Sequence, residues 1–364
     1  MSRLAAVYFS SILAFAVVPA QAQAQSHTPS QSKSWTPPFT SDNTEIAPDG
    51  TAYIRRIVPI PSTISAQARK WLARPVSPAA GPSSLAEWRA REDRRRRKDG
   101  SIALRKYPAR VAHGEMAGVP VTIVTPPTAA GKRREFVLID VHGGAFETDC
   151  CSLVESIPLA NLLGAEVIAV HYRMPPEHPF PAGIDDVIAV YRAVLKNHPP
   201  GAVAIYGTSS GAEMTGEIAM ALKHRHLPEP GALGFFSGTG DFSLRPDSRA
   251  FFTLDGLRGK IDPYWHGPFG VQRAYIGAAN PADPVVSPMR GDLSGLPPTL
   301  FLTGTRDAFL GDVSLFDRAM LRAGDETQLV VFDAMPHAFW VDPDWPESDE
   351  AYRIMARFFE RHLR

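Results

Sequence analysis

The sequence has 364 residues, in which 38 Lys and Arg balance 38 Asp and Glu, and 44% of the residues are hydrophobic. This is the composition of an ordinary globular protein, long enough for one large α/β domain or two smaller ones. A net charge of zero argues against general electrostatic binding to nucleic acid or anionic lipid, because such binding needs an excess of basic residues. The expected partner is therefore a small molecule, and no nucleic acid.

Residues 1–24 have the pattern of a secretory signal peptide. Arg3 supplies the positive start, Leu4–Ala20 the apolar run, and Ala22 or Ala24 ends a small-residue cleavage site. Polar residues and a proline interrupt the run, which makes it shorter than a typical membrane span of about 20 residues. We expect cleavage, export to the periplasm or the medium, and no stable membrane insertion afterwards.

The next segments are a Pro/Ser-rich arm at 25–50 and an N-terminal region at 51–110. The arm shows no hydrophobic period and is predicted to be extended. It is long enough to reach over a site or onto a neighbouring subunit of a homo-oligomer. In the region that follows, Ile64–Arg74 and Leu85–Asp99 show helical patterns, separated by turn-forming prolines.

The basic run Arg94–Lys98 invites a nucleic-acid interpretation. Acidic residues flank it closely, at Glu92, Asp93 and Asp99. A solvated helix face explains this charge pattern more simply.

From residue 111 to 364, short apolar runs alternate with helical stretches. The predicted strands are Val119–Val124, Phe136–Val141, Glu166–Tyr172, Val203–Tyr206, Ala232–Phe236, Thr299–Thr303 and Thr327–Phe332. The predicted helices are Val154–Leu163, Gly183–Lys196, Ser210–Lys223, Val313–Arg322 and Asp349–His362. Such repetition predicts an α/β fold with a mostly parallel central sheet flanked by helices, whose sites lie at the carboxyl ends of the strands.

The cysteine content gives no sign of a structural metal or a disulfide framework. Cys150 and Cys151 are adjacent, and a bridge between neighbours needs a strained ring. No Cys/His spacing typical of zinc is present. We expect two free or buried thiols, no metal and no cofactor.

Ser209 lies in the string Gly207-Thr208-Ser209-Ser210-Gly211, between a predicted strand and a predicted helix. That is the context of a nucleophile elbow, in which the two glycines permit a sharp turn that raises the serine oxygen above the sheet. The five-residue pattern is weak without its context, because chance produces it in roughly one chain in eight of this size.

A glycine-containing loop precedes this elbow. His142-Gly143-Gly144-Ala145 follows the predicted strand Phe136–Val141. Such a loop can direct backbone N–H groups at a developing oxyanion, together with the N–H of Ser210.

Asp307 and His337 are the other two candidate catalytic residues. Asp307 comes directly after the predicted strand Thr299–Thr303, and His337 follows the strand that ends at Phe332. Both therefore fall at carboxyl ends of strands, in the chain order Ser, Asp, His that α/β-hydrolases use. Asp312 lies close enough in sequence to compete with Asp307.

The sequence resembles the bacterial hormone-sensitive-lipase-type esterases of the α/β-hydrolase fold from about Val111 to the C-terminus. The matching strings are His142–Phe146, Tyr172–Pro181, Gly207–Gly211, Asp283–Pro288, Gly304–Asp307 and Pro336–Phe339. Two positions depart from the family pattern, since Ala145 stands where a third glycine is usual and Ser210 where alanine is usual.

The resemblance implies a role for each residue. Ser209 would be the nucleophile, His337 the general base and then acid, and Asp307 the carboxylate that orients the histidine. Backbone donors to the oxyanion would come from Gly143, Gly144 or Ala145, and from Ser210. His142, Arg173 and Glu177 would brace the oxyanion loop without taking part in the chemistry. The family also builds a helical cap from its N-terminal region and an insertion, here residues 241–277.

The expected activity is that of a secreted serine carboxylesterase acting on short-acyl or aromatic esters, including xenobiotic methyl or ethyl esters such as those of herbicides. The aromatic residues of the insertion suggest an apolar pocket, although core packing explains each of them equally well (Phe242, Phe251, Phe252, Tyr264, Trp265 and Phe269). An amidase or lactonase on the same fold stays open. So does a protein of another class that binds a small ligand without turnover.

Overall fold

The structure is a computed structural model that describes residues 38–75, 82–127, 135–261 and 271–364. The predicted signal peptide and the first part of the predicted arm lie outside the described residues. The same holds for three aromatic residues of the insertion, Tyr264, Trp265 and Phe269. None of the helices in the described ranges is long and apolar enough to cross a membrane.

The chain divides into two compact units, with the boundary between Pro59 and Ile60. In the first unit, β1 (Asn43–Ile46) and β2 (Ala52–Arg55) form an antiparallel hairpin. The hairpin spans the end of the predicted arm at 25–50 and the start of the predicted N-terminal region at 51–110. The division of the chain at residues 50 and 51 stays a prediction.

The described residues of the second unit form eight further strands. They are β3 (Arg110–Met116), β4 (Val119–Thr125), β5 (Val137–Val141), β6 (Glu166–Val170), β7 (Val203–Thr208), β8 (Ala232–Phe236), β9 (Thr299–Gly304) and β10 (Thr327–Phe332). All the predicted strands are present, within a few residues at their ends. The strand β3 was not predicted, because most of its side chains are exposed and it shows no buried face.

The helices of this unit include two that precede the sheet. They are α1 (Ala66–Leu72), α2 (Leu85–Lys106), α3 (Ser152–Leu163), α4 (Ala182–Val194), α5 (Ser210–His224), α6 (Ser248–Phe251), α7 (Val271–Ile276), α8 (Leu310–Ala323) and α9 (Pro346–His362). Serines cap the first two, since Ser65 accepts from the Ala68 N–H at 3.1 Å and Ser84 from the Glu87 N–H at 3.2 Å.

The central sheet has the strand order β10-β9-β8-β7-β5-β6-β4-β3. Strands β5 to β10 run parallel to their neighbours among themselves, and β3 and β4 pair antiparallel at one edge. The prediction of a mostly parallel sheet flanked by helices, in an α/β-hydrolase fold, is therefore confirmed.

Two hydrophobic clusters cover the two faces of this sheet, and successive residues of one strand enter opposite clusters. In β7, Val203 and Ile205 belong to one cluster, and Ala204 and Tyr206 to the other. A strand that is buried on both faces reads as a continuous apolar run, which is why the central strands were recognisable in the sequence. This core holds the carboxyl ends of β7, β9 and β10 at the same edge of the sheet, with β8 between β7 and β9.

Candidate active site

Ser209 lies on the sharp turn between β7 and α5. Its backbone has φ 58° and ψ −124°, a conformation that costs an ordinary residue on the order of 1–3 kcal/mol. The turn requires glycine at position 211, because a Cβ on Gly211 would lie 1.8 Å from the Val141 carbonyl oxygen. The observed geometry is that of the predicted nucleophile elbow.

His337 follows β10 and reaches the serine. Its Nε2 lies 2.9 Å from Oγ of Ser209, and its Nδ1 lies 3.1 Å from Oδ1 of Asp307. The ring packs against Phe309, with 5.1 Å between centroids. An imidazole held between a hydroxyl and a carboxylate can take the hydroxyl proton while the carboxylate stabilises the resulting charge.

Asp307 is completely buried and is held by three further hydrogen bonds. Its Oδ2 accepts from the hydroxyls of Ser237 and Thr303, and its Oδ1 accepts from the Phe309 N–H at 2.9 Å. Burial alone would raise the pKa of Asp307, but the adjacent His337 and these hydrogen bonds bring it below its ordinary value. The carboxyl group therefore stays ionised at neutral pH and is fixed in one orientation.

Asp312 faces a different partner. Both of its oxygens lie 2.9 Å from the Arg249 guanidinium, in a buried bidentate ion pair. Of the two acidic residues that compete in the sequence, Asp307 is the one hydrogen-bonded to His337.

The loop after β5 passes beside Ser209. Gly144 and Ala145 line the same cavity as Ser209 and have positive φ values of 123° and 56°. Within the described part of the chain, the N–H groups of Gly144, Ala145 and Ser210 have no hydrogen-bond acceptor. A Cβ on Gly144 would lie 2.1 Å from the Thr148 carbonyl oxygen, so this position requires glycine. These three N–H groups remain candidates for oxyanion donors.

Gly143 is a correction to the sequence-based expectation. Its N–H donates to Sγ of Cys151 at 3.3 Å, on the inner side of the loop. It is therefore already engaged away from the cavity, and it is not a candidate oxyanion donor in this conformation. The sequence could not indicate this, because the direction of an N–H depends on the path of the loop.

Of the remaining three predicted residues, His142 and Glu177 support the loop from behind, and Arg173 does not. His142 stacks on Tyr172 at 4.2 Å between centroids, and the Tyr172 hydroxyl donates to the His142 carbonyl at 2.8 Å. Glu177 holds Arg89, whose Nε donates to the Glu147 carbonyl of the loop at 2.9 Å. Arg173 instead contacts Asp186 of α4, at 2.8 Å. None of the three contacts Ser209 or His337 directly.

A buried carboxyl group that the sequence analysis missed lies under the elbow. Glu155 of α3 accepts from Trp340 Nε1 at 2.8 Å and from the hydroxyl of Thr208, the residue before Ser209. Burial raises the pKa of Glu155 to about 7, although these hydrogen bonds oppose the shift. Glu155 therefore links α3 to the elbow, and no sequence motif pointed to it.

The cavity at Ser209 has a volume of about 580 Å³. Its apolar walls come from Trp71 of α1, Trp88 of α2, Leu254 of the insertion, and Phe339 and Trp345 after β10. The expected cap segments thus both contribute to the wall. Phe242 does not, since it is buried in the core beside Tyr275. Phe339 and Trp345 were not predicted.

The two cysteines are unbridged, and Cys151 is buried while Cys150 lines the cavity. One group near them could hold a metal ion, since His142, Asp149 and His171 offer atoms within 4.8 Å of one another. Asp149 already accepts a hydrogen bond from the Ser152 hydroxyl and lies 3.5 Å from the Arg96 guanidinium.

Known proteins support this description. An α/β-hydrolase-fold family profile matches residues 138–341. An acetyl-hydrolase of Streptomyces hygroscopicus is 31% identical over 236 residues, which are 61% of this chain and 74% of that protein. An esterase of Acinetobacter venetianus is 29% identical over 254 residues, 66% of this chain and 82% of its own.

Solved structures agree. The crystal structure of an esterase is 29% identical with a TM-score of 0.72, covering 85% of this chain and 98% of that one. The crystal structure of an esterase from the bacterial hormone-sensitive lipase family is 25% identical with a TM-score of 0.66, and the match covers 82% of this chain and 96% of that one. The chain is therefore a carboxylic ester hydrolase and belongs to the hormone-sensitive-lipase-type esterases of the α/β-hydrolase fold.

Proposed function

We propose that this protein hydrolyses its esters through a covalent acyl-enzyme formed on Ser209. The observation that carries the proposal is the 2.9 Å distance between His337 Nε2 and Ser209 Oγ, with Asp307 on the other ring nitrogen. A serine hydroxyl is a poor nucleophile at neutral pH and needs an adjacent base.

In the first half-reaction, His337 takes the proton of Ser209 as its oxygen attacks the acyl carbon, and then returns that proton to the departing alcohol. Asp307 holds the imidazole tautomer and stabilises the imidazolium. In the second half-reaction His337 activates a water molecule that cleaves the acyl-enzyme.

The developing oxyanion is bound by the N–H groups of Gly144, Ala145 and Ser210. Fixed backbone donors need no reorganisation when the charge appears, and the loss of one typically costs about 3–4 kcal/mol of transition-state stabilisation. Since the donors belong to the backbone, Ala145 and Ser210 serve despite their departure from the family pattern.

The proposed substrates have a short acyl chain or an aromatic ring. Trp71, Trp88 and Trp345 make the cavity of about 580 Å³ wide and apolar, which favours such groups. Xenobiotic methyl and ethyl esters fall within this class. The signal-peptide pattern of residues 1–24 adds the proposal that the enzyme works outside the cytoplasm.

The test is active-site labelling. A fluorophosphonate should bind in a 1:1 ratio, and peptide mapping should place the label on Ser209. Ser209→Ala should lose both the label and ester turnover while its circular dichroism spectrum stays unchanged, and Ser210→Ala should keep both. A label on another residue, or turnover retained by Ser209→Ala, would refute the mechanism.

Matched ester, amide and lactone substrates separate the remaining alternatives. If the amide or the lactone is turned over faster than the matched ester, the natural substrate would be assigned to that class and not to the esters. Stoichiometric binding of the compounds with no turnover would favour a ligand-binding protein.

A further inference from the structure

The basic run of α2 does not form one solvated face. Two of its members, Arg96 and Arg97, lie within 4 Å of Asp93, and Arg96 also approaches Asp149. The others lie at helical spacing on a different face and line a second cavity, of about 770 Å³. These are Arg94, Arg95 and Lys98, and Arg91, one turn earlier on the same helix, lines the same cavity.

A second helix adds positive charge to this cavity, which we call the basic groove. Lys70 and Arg74, one turn apart, line it from the region of α1. The groove thus has six cationic side chains against three carboxylates, those of Asp99, Asp342 and Asp344, which leaves a net charge of 6 − 3 = +3.

Only two of these six cations form an ion pair among the described residues. Arg95 lies near Glu92 and Asp99, at 3.7 and 3.4 Å, and Arg91 lies near Glu92. Among the described residues, the other four cations have no carboxylate within 4 Å. Like charges placed together repel each other, and the field of such a groove attracts anions.

The basic groove adjoins the active-site cavity. The two share five wall residues, namely Trp71, Arg95, Val341, Asp342 and Trp345. Trp71 and Trp345 pack edge to face within this shared wall, with 5.6 Å between ring centroids, and Arg95 lines both cavities. A substrate whose ester lies at Ser209 would therefore reach the groove beside Arg95, past this aromatic pair. The neutral overall composition of the chain gives no hint of this local excess of positive charge.

We propose that the basic groove is a subsite for an anionic group of the substrate, so that the enzyme prefers esters that carry a carboxylate, sulfonate or phosphate remote from the scissile bond. The inference rests on the proposed function, because it places the ester at Ser209. The apolar walls would hold the body of the substrate, and the cations of both helices would hold its charged end.

The experiment compares neutral and anionic esters of the same size. One pair is p-nitrophenyl pentanoate and the mono-p-nitrophenyl ester of glutaric acid, which places the charge on the acyl chain. The other is phenyl acetate and 4-carboxyphenyl acetate, which places it on the alcohol. Each variant is compared with the wild type on one substrate at a time, so that differences in intrinsic reactivity cancel.

The groove variant is the double substitution Arg94→Glu and Lys98→Glu. Exposed charges each contribute modestly, so we expect kcat/KM for at least one anionic ester to fall by about tenfold, with the matched neutral ester within twofold of wild type. The matched control is Arg97→Glu with Arg105→Glu, which makes the same charge change on the same helix outside the groove, and should alter neither ester.

Ionic strength provides a second measurement. The advantage of the anionic over the neutral ester should shrink as salt is raised from about 50 to 500 mM in the wild type, and should show little salt dependence in the groove variant. The inference is overturned if the groove variant affects both members of each pair equally, if it affects neither, or if the control variant has the same effect. Fluorophosphonate labelling of Ser209 distinguishes this failure from a failure of the proposed function.

Discussion

The substitution Asp307→Asn tests the reasoning about the active site most directly. It removes one negative charge and keeps the shape of the side chain. Because Oδ1 accepts from the Phe309 N–H at 2.9 Å, we expect the amide oxygen to take that position and the NH₂ group to face the hydroxyls of Ser237 and Thr303, which can rotate to accept. His337 then keeps its tautomer and loses only the stabilisation of its charged form.

The size of the effect follows from the geometry. Two unit charges separated by the 3.1 Å between Asp307 and His337 interact by about 5 kcal/mol at an effective dielectric constant of 20. The amide oxygen keeps part of this as a hydrogen bond. A net loss of about 4 kcal/mol corresponds to a fall in kcat of about 10³-fold.

The assay is steady-state hydrolysis of a p-nitrophenyl ester, with Asp312→Asn as the control. Asp312 pairs with Arg249 at 2.9 Å, so this control should lose about 3–5 kcal/mol of stability while the folded enzyme keeps kcat within tenfold of wild type. The reasoning is refuted if Asp307→Asn also stays within tenfold, or if Asp312→Asn is the slower of the two at a temperature where both are folded.

Three further predictions concern stability and processing. Burial raises the pKa of Glu213 to about 8 from its ordinary 4.5, so its contribution to stability is complete below pH 4.5 and is lost as the pH rises to 8. The free energy of unfolding of Glu213→Gln, measured with urea, should therefore rise relative to that of the wild type by at most about 5 kcal/mol across that range. A difference that does not change with pH would contradict this. Gly211→Ala would place a Cβ 1.8 Å from the Val141 carbonyl and should yield almost no folded protein, whereas an unchanged Tm would disprove the close approach. Mass spectrometry of the exported protein should find the N-terminus near Gln23 or Gln25, and an intact leader would reject the signal peptide.

The fold was predictable because the central strands are buried on both faces. Runs such as Val203–Tyr206 and Thr299–Thr303 are rich in apolar residues and buried along their whole length, and helical patterns separate them. The exposed strands carry no such signal. The hairpin of β1 and β2 was missed, although Asp49-Gly50 between two short strand-forming runs is a recognisable turn signal.

The candidate site was predictable as far as strand ends determine it. Ser209, Asp307 and His337 each follow a strand of the parallel sheet, so the sequence indicated that they lie near one another. Orientation was not predictable. That Gly143 donates to Cys151 depends on the path of the loop between them. That Glu155 lies under the elbow depends on packing between segments that are distant in the sequence.

The division of the cavity wall has a consequence for how this enzyme can change. Trp71, Trp88 and Leu254 lie on segments that supply none of the groups hydrogen-bonded around His337. Randomising these three positions would therefore create new selectivities while leaving the reacting atoms in place. Substrate recognition and catalysis are thus carried by different segments, and a single library of variants could change the first with little effect on the second.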